Sequence, residues 1–331
     1  MPKVSVIVPV YNEEKTIRLL LQSLYQQTYP LAEMEIVLAD GLSTDGTRQA
    51  IEQFQLDHPD LAIRVIDNTK RTIPSALNLA IDAAVGQFIV RLDAHSSPQP
   101  DYVERSVEGI VEGRGVNVGG VWQIQPGEDS WMAHAIAKAA AHPLGVGDAL
   151  YRHTGQAQAV DTVPFGSFRK QLVKEIGYFE ESLHSNEDYE FNVRVRQHGG
   201  IVWLDPAIRS TYFARPNLLA LAKQYARYGY WKMRMLRRYP ETIRWRQALP
   251  PLFVLVLLTL LVASFFYTPL VWKLIAAVVS YALVLLVVGA QLAMKERSFA
   301  LLIGVPVAIA CMHLVWGGAF LWSLLTLWRT A

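Results

Sequence analysis

The stretch VSVIVPVYNEE, residues 4–14, decides the fold, because a continuous β-branched run stops abruptly at Tyr-Asn-Glu-Glu. A run without alternation of apolar and polar residues is typical of a strand buried on both faces of a parallel sheet. Asn12 is a residue type that caps helices, and apolar residues follow it at helical spacing. A strand, a polar turn and a helix over 14–27 are therefore predicted.

Apolar strand-like runs and helical segments alternate as far as residue 92. The further predicted strands cover 34–39, 62–66 and 87–92, and the predicted helices cover 48–54 and 73–84. This alternation predicts βαβ units and a parallel sheet, which binds ligands outside the carboxyl ends of its strands. Polar clusters follow three of these ends, at 11–13, 40–45 and 93–95, so a site is expected there.

The pattern is less regular beyond residue 115. The predicted elements are an alanine-rich helix at 132–141, a strand, turn and short helix over 163–179, a helix at 185–200, a short strand at 201–204 and a long helix that begins at Asn217.

Three runs without a charged residue follow, at 249–272, 274–294 and 298–328. About 20 apolar residues in a helix cross a hydrocarbon core of roughly 30 Å, so each run is long enough to span a membrane. Long helices buried in a soluble core are the alternative, but such helices rarely lack charges over this length. The sequence therefore predicts about three transmembrane helices.

Charge is distributed unevenly along the chain. Residues 1–222 carry 19 basic against 27 acidic side chains, which argues against nucleic-acid binding there. Residues 223–246 carry eight basic side chains and one acid, just before the first apolar run. Such a block suits the cytoplasmic side of a membrane, where anionic lipid attracts it; a solvated helix face is the alternative. The only cysteine, Cys311, excludes an intrachain disulfide.

The predicted sheet lacks both common nucleotide-binding fingerprints, GxxxxGK[ST] and GxGxxG. A diphosphate ligand would therefore need another neutralising group, and a divalent metal held by Asp93 and His95 would serve. Ordinary loop polarity explains a lone Asp-x-His triplet equally well. Three carboxylates in 187–190 are either helix capping, favoured by the helix dipole, or include a general base.

Four motifs in order, VSVIVPVYNEEKTI, DGLSTDGT, RLDAHSSPQPDYV and NEDYEFNVRVRQHG, resemble those of the family 2 inverting glycosyltransferases with the GT-A fold. The resemblance covers about residues 3–240 and is strongest to the succinoglycan-type bacterial exopolysaccharide glucosyltransferases. It implies an α/β GT-A domain with a mainly parallel sheet. The predicted domains are 1–215 for this fold, 216–247 for a basic amphipathic interface segment, and 248–331 for the membrane helices.

The resemblance also implies roles for individual residues. The nucleotide-sugar would be bound by Pro9, Tyr11, Glu13, Asp40, Arg71 and Asp93, with Asp40 at the uracil ring. The catalytic base would be Asp188, and the acceptor or product site would contain Glu187, Gln224, Arg227 and Tyr228. Asp93 and His95 would hold the metal; His95 replaces the family's usual aspartate, which favours Mn²⁺ over Mg²⁺.

The implied activity is transfer of a sugar, glucose by the resemblance, from a UDP-sugar to a hydroxyl of a lipid-linked oligosaccharide or growing polysaccharide. The enzyme would lie in the bacterial inner membrane with its catalytic domain in the cytoplasm. The Gln224-x-x-Arg227-Tyr228 sequence resembles the Q-x-x-R-W motif of processive members, but Tyr for Trp favours one sugar per event. Two alternatives stay open: a polyprenyl-phosphate glycosyltransferase and a non-catalytic nucleotide-sugar-binding membrane protein.

Overall fold

The computed structural model describes residues 3–326, and the chain divides into two compact units. The first contains the chain up to residue 123 together with 153–212, and the second contains 124–152 together with the chain from 213 onward. The boundary near 212 lies close to the predicted one at 215. The sequence pattern did not indicate that 124–152 groups with the C-terminal helices.

One mixed sheet runs through the described part of the first unit, in the order β3-β2-β1-β4-β8-β6-β9-β5, with β7 paired to β9. Its strands are β1 Val4–Val10, β2 Met34–Asp40, β3 Ala62–Asp67, β4 Phe88–Arg91, β5 Ser96–Pro98, β6 Asn117–Gln125, β7 Gln158–Ala159, β8 Ser167–Arg169 and β9 Val202–Phe213. The first unit also contains the helices α1 Ile17–Tyr25, α2 Thr47–Asp57, α3 Ile73–Ala83, α4 Tyr102–Val111, α7 Leu172–Ile176 and α8 Glu187–Gln197.

The parallel half of the sheet forms as the sequence predicts. Strands β1 and β2 are buried along almost their whole length, and Val4 pairs with Met34 and with Phe88 in parallel register. Their apolar side chains, with those of α1 and α2, build the core of the unit. Helix α1 begins later than predicted: its N-cap is Thr16, because Asn12 lies in the left-handed region at φ 54°.

The other half of the sheet is antiparallel, so the sheet is mixed rather than mainly parallel. Strand β6 was not predicted from the sequence, because it contains Gly119 and Gly120, which weaken a strand pattern. A Cβ at Gly120 would lie 2.0 Å from the carbonyl oxygen of Ile208, so only glycine allows this close approach of β9. Strand β9 was predicted as only 201–204, since Pro206 interrupts its sequence signal.

The second unit is helical. It contains α5 Trp131–Ala140, α6 Pro143–Val146, α9 Leu218–Arg238, α10 Trp245–Ser264, α11 Leu270–Glu296 and α12 Ala300–Leu325. Helices α10, α11 and α12 are long and apolar enough to cross a membrane. In its most apolar stretch α12 is 44% buried, against 6% and 11% for α10 and α11, because α9 and α5 pack along it. The end of the third predicted run, 327–328, lies outside the described residues.

Candidate functional site

The carboxyl ends of β1, β2 and β4 meet at one edge of the sheet, as the sequence predicts. Val10 pairs with Asp40, which aligns the ends of β1 and β2. The two following loops are joined by hydrogen bonds through Asn12: its backbone N–H donates to Ser43 Oγ, and its Oδ1 accepts from the Thr44 N–H. The first two polar clusters of the sequence therefore form one connected structure.

Asp40, predicted to bind uracil, is fully buried. Its Oδ1 accepts from Ser43 Oγ at 2.5 Å, and its Oδ2 accepts from the Ser43 N–H and from Arg48 Nε at 2.6 Å. Arg48 also contacts Asp67 at 2.6 Å. A base could reach the Asp40 carboxylate only if the Ser43 side chain moved, so the exposed Asp67 is an additional acid on this side of the site.

Tyr11 and Arg71 form the exposed part of the predicted nucleotide pocket. The guanidinium of Arg71 lies 6.0 Å from the centre of the Tyr11 ring, within the range of a cation–π contact. Pro9 is the one position of β1 that is not fully buried. The structure thus brings Tyr11 and Arg71 together.

Five non-glycine residues in the described loops of the first unit adopt the left-handed backbone region. They are Asn12 at φ 54°, Leu42 at φ 60°, Arg71 at φ 55°, Phe165 at φ 49° and Asn186 at φ 67°. Left-handed backbone of this kind is costly for residues with a Cβ and clusters at functional sites.

His95 and Glu13 join the ends of β1 and β4. Nδ1 of His95 lies 3.2 Å from Oε1 of Glu13. The other carboxylate oxygen of Glu13 accepts a short hydrogen bond from the Thr16 hydroxyl, and the Glu13 N–H donates to Thr47 Oγ1. Glu13 is therefore held from several sides, and it orients the imidazole.

A buried arginine, Arg91, connects the third polar cluster to the start of α8. Its side chain is 3% exposed and lies at the end of β4. Nη2 contacts Asp93 Oδ1 at 3.3 Å and Glu187 Oε1 at 3.1 Å, and Nη1 is in direct ion-pair contact with Asp188 Oδ1. The predicted donor-side acid and the predicted base are thus neighbours of one guanidinium.

The acids of α8 have different partners, although all three lie in the first turn, where the helix dipole favours acids. Asn186, the N-cap, makes no side-chain cap hydrogen bond. Glu187 and Asp188 contact Arg91, whereas Glu190 is buried and accepts from Arg194 Nε at 2.7 Å and Nη2 at 2.8 Å. Glu187 and Asp188, unlike Glu190, therefore share an arginine with Asp93.

Gln224, Arg227 and Tyr228 lie on one side of α9, in the second unit. Gln224 Nε2 donates to the Tyr228 hydroxyl at 3.0 Å, and the Arg227 guanidinium lies 5.8 Å from the Tyr228 ring centre. The three predicted acceptor-side residues therefore form one cluster on this helix.

Residues 5–177 match the family model described as Glycosyl transferase family 2, which is just over half of the chain. The chain belongs to glycosyl transferase family 2. It is 28% identical over 322 residues to the succinoglycan biosynthesis protein ExoA of Rhizobium meliloti, covering 95% of this chain and 93% of that protein. It is 27% identical over 314 residues to a dolichyl N-acetyl-α-D-glucosaminyl phosphate 3-β-D-2,3-diacetamido-2,3-dideoxy-β-D-glucuronosyltransferase of Methanococcus voltae, covering 94% and 93%.

Solved glycosyltransferases share the fold. The mannosyltransferase PcManGT of Pyrobaculum calidifontis, in complex with GDP-Man and Mn²⁺, superposes with a TM-score of 0.62 at 21% identity, covering all of this chain and 88% of its own. S. aureus TarS 1–349 in complex with UDP-GlcNAc superposes with a TM-score of 0.51 at 19% identity, covering 93% and 90%. This glycosyltransferase therefore has the GT-A fold, followed by three long apolar helices.

A divalent metal is typical of GT-A enzymes, and the donor set at this edge can be tested against one. Within residues 3–326 no group of three or more His, Cys, Asp and Glu side chains forms a complete metal cage. Mg²⁺ and similar ions need only one or two protein ligands when phosphate oxygens and water complete the shell. Glu13, by accepting the Nδ1 proton, would fix the tautomer of His95 whose Nε2 is the ligand atom. Asp93 and His95 therefore fit a metal bound together with a diphosphate.

Sequence reasoning missed Arg91, Arg48 and Asp67 in this glycosyltransferase. Arg91 had a visible signal, since it is the only charge in the apolar run from Phe88 to Leu92. A charge buried in a strand requires a partner, and the nearest acid in sequence is Asp93. Arg48 and Asp67 gave no comparable signal, because charges on an exposed helix and at a strand end are ordinary.

Proposed function

We propose that the enzyme transfers a single sugar, glucose, from a UDP-sugar to a hydroxyl of a lipid-linked oligosaccharide or growing polysaccharide, with inversion at the anomeric carbon. The observation that carries this proposal is the contact of Asp93, Glu187 and Asp188 with one buried guanidinium. This guanidinium connects Asp93, which is assigned to donor binding, with Glu187 and Asp188, which are assigned to the acceptor and to the base.

Asp188 serves as the general base. Its side chain is 29% exposed, so a hydroxyl can reach the carboxylate, while the Arg91 contact fixes its direction. The carboxylate takes the proton of the acceptor hydroxyl, whose oxygen attacks the anomeric carbon from the side opposite the leaving diphosphate. Because the displacement occurs once, an α-linked donor gives a β-linkage.

The donor binds over the ends of β1, β2 and β4. Tyr11 and Arg71 provide an aromatic face and a cation. The exposed Asp67 provides a carboxylate, and Asp40 provides a second one for the uracil ring once the Ser43 side chain moves. A divalent metal held by Asp93 and His95 would neutralise the charge that develops on the leaving diphosphate.

A hydroxyl acceptor is favoured over a polyprenyl phosphate by the presence of a base. A hydroxyl must lose its proton during the attack and needs a carboxylate such as Asp188, whereas a phosphate nucleophile is already ionised at neutral pH. The Rhizobium meliloti relative is named for succinoglycan biosynthesis, and the Methanococcus voltae relative is named as acting on a lipid-linked sugar phosphate. Both names support a glycan acceptor, either a lipid-linked oligosaccharide or a growing polysaccharide.

Helices α10, α11 and α12 anchor the enzyme in the bacterial inner membrane, with the catalytic unit in the cytoplasm. Exposed Arg237, Arg244 and Arg246, with exposed Trp245, precede or begin α10 and suit the anionic cytoplasmic surface. A reporter fused to the C-terminus should be extracytoplasmic if all three helices span. A cytoplasmic reporter would mean that α12, the most buried of the three, lies in the interface instead.

The activity is tested by nucleotide release from the purified full chain in lipid nanodiscs. UDP-glucose, UDP-GlcNAc and GDP-mannose are each supplied with Mn²⁺, with either a lipid-linked oligosaccharide or a polyprenyl phosphate. Release that requires UDP-glucose and the oligosaccharide supports the proposal. Release with the polyprenyl phosphate alone would establish the alternative acceptor, and a GDP-mannose preference would overturn the donor assignment.

A further inference from the structure

Arg91 is an unusual residue for its place in the fold. Strand β4 is buried at all its positions, and Arg91 is itself 3% exposed. A buried charge is retained only when partners compensate for its desolvation. Its partners come from two distant parts of the chain: Asp93 at the end of the same strand, and Glu187 with Asp188 at the start of α8.

We propose that Arg91 is the positioning residue of sugar transfer, which holds the base Asp188 at a fixed spacing from the donor-side acid Asp93. This inference rests on the function proposed above. Arg91 acts through Asp188 and does not touch the reacting atoms. Its value lies in setting the direction of the carboxylate that receives the acceptor proton.

The planar guanidinium is suited to this function and an ammonium is not. Nη2 addresses Asp93 and Glu187 while Nη1 addresses Asp188, so one rigid group fixes three carboxylates in one arrangement. A lysine at this position would keep the charge, but its three donors lie on one nitrogen at the end of a flexible stem. Arg91→Lys is therefore a substitution that separates charge from orientation.

Helix α8 does not depend on Arg91 for its attachment. Arg194 ties the helix to the preceding loop through the carbonyl oxygens of Gly177 and Tyr178. Asn192 joins it to Asn117 of β6 at 2.6 Å and to the Thr162 hydroxyl at 3.0 Å. Replacement of Arg91 should therefore leave the fold in place and disturb the base.

The test is a double-mutant cycle on the full chain, with Arg91→Lys, Asp188→Asn and the combination. We expect Arg91→Lys to lower kcat about 100-fold while the Kd for UDP, measured by calorimetry, changes less than about threefold. In the Asp188→Asn background the same substitution should change kcat less than about threefold. The base has already been removed there, so the loss of its orientation has no further effect on the rate. Arg64→Lys, at an exposed arginine of β3 paired with Glu35, is the matched control.

A merely structural arginine would give a different pattern. Equal losses from Arg91→Lys in both backgrounds, or wild-type kcat in the single variant, would overturn the inference. Thermal unfolding checks each variant, and Arg91→Met enters the same cycle if Arg91→Lys does not fold. The cycle requires only that the wild-type chain turns over some sugar nucleotide. If it turns over none of them, the proposed function is wrong.

Discussion

Helix α8 carries two acid–arginine arrangements a few residues apart, and they differ in how their charges balance. Glu190 and Arg194 form a closed pair: both carboxylate oxygens accept from one guanidinium, which also donates to backbone carbonyls. Around Arg91, by contrast, three carboxylates share a single guanidinium. The closed pair is complete without a ligand, whereas the Arg91 cluster has carboxylate oxygens to offer to a proton or a cation.

The comparison predicts that the two arrangements respond to substitution in opposite ways, and its largest effect is on the rate. Asp188→Asn keeps the shape of the side chain and removes the base, so transfer should fall by about 10²–10⁴-fold. UDP binding and thermal unfolding should stay as in the wild type. A rate assay together with calorimetry checks this. Turnover of Asp188→Asn near the wild-type rate would show that Asp188 is not the general base.

The next effect is on stability, at the closed pair. Glu190→Gln removes the buried carboxylate that neutralises Arg194, whose side chain is 14% exposed, and should lower the free energy of unfolding by about 3 kcal/mol. The fraction that stays folded should transfer sugar at close to the wild-type rate. Denaturant titration and an activity assay normalised to folded protein measure the two. A large rate loss in folded Glu190→Gln would show that the two arrangements are not separable.

A smaller effect concerns the cation that the negative site attracts. If Glu13 orients His95 as a metal ligand, Glu13→Gln should weaken Mn²⁺ binding in the presence of UDP by about tenfold. Electron paramagnetic resonance of Mn²⁺ measures this without turnover. His95→Ala is the stronger variant, and Glu14→Gln is the control, because Glu14 is the next residue of the same loop but accepts from the Gly46 N–H instead. An unchanged Mn²⁺ titration in His95→Ala would show that residues other than His95 bind the metal.

The smallest effect is on acid stability, at the buried carboxylate of Glu35, which lies outside the site. Burial raises the pKa of Glu35, but hydrogen bonds from the Ser5 hydroxyl, the Val85 N–H and Arg64 outweigh it, so the pKa is lowered. The folded state thus binds this proton less tightly than the unfolded chain. Its contribution is complete above the unfolded pKa, near about 4.3, and is lost as the pH falls through the lowered folded value.

Glu35→Gln should therefore lower the free energy of unfolding by about 1 kcal/mol at pH 7. The gap to the wild type should narrow as the pH falls below about 4.3. Denaturant titrations over a pH series measure this gap. A gap that stays constant with pH would mean that the carboxylate contributes only through shape.

The parallel half of the sheet and the edge that carries the site were predictable from sequence, because unbroken β-branched runs and the polar clusters after them are local signals. Strand β6 was not, since the close approach of Ile208 that explains Gly120 is a contact between distant segments. The same limit applies within the site. Asp93 and Asp188 could be named from motifs, but their common neighbour Arg91 becomes visible only when β4 and α8 are brought together.

The left-handed loop residues have a consequence for anyone who engineers this enzyme. Leu42 carries a branched side chain on backbone that glycine adopts without penalty, so Leu42→Gly would remove strain of about 1 kcal/mol. A screen for heat resistance should therefore select glycines at such positions first. Leu42 stands between Asp40 and Ser43, whose hydrogen bonds shape the donor loop. A glycine at position 42 would thus raise thermal stability but also make the donor-binding loop more flexible. Screens should therefore measure turnover and melting temperature together.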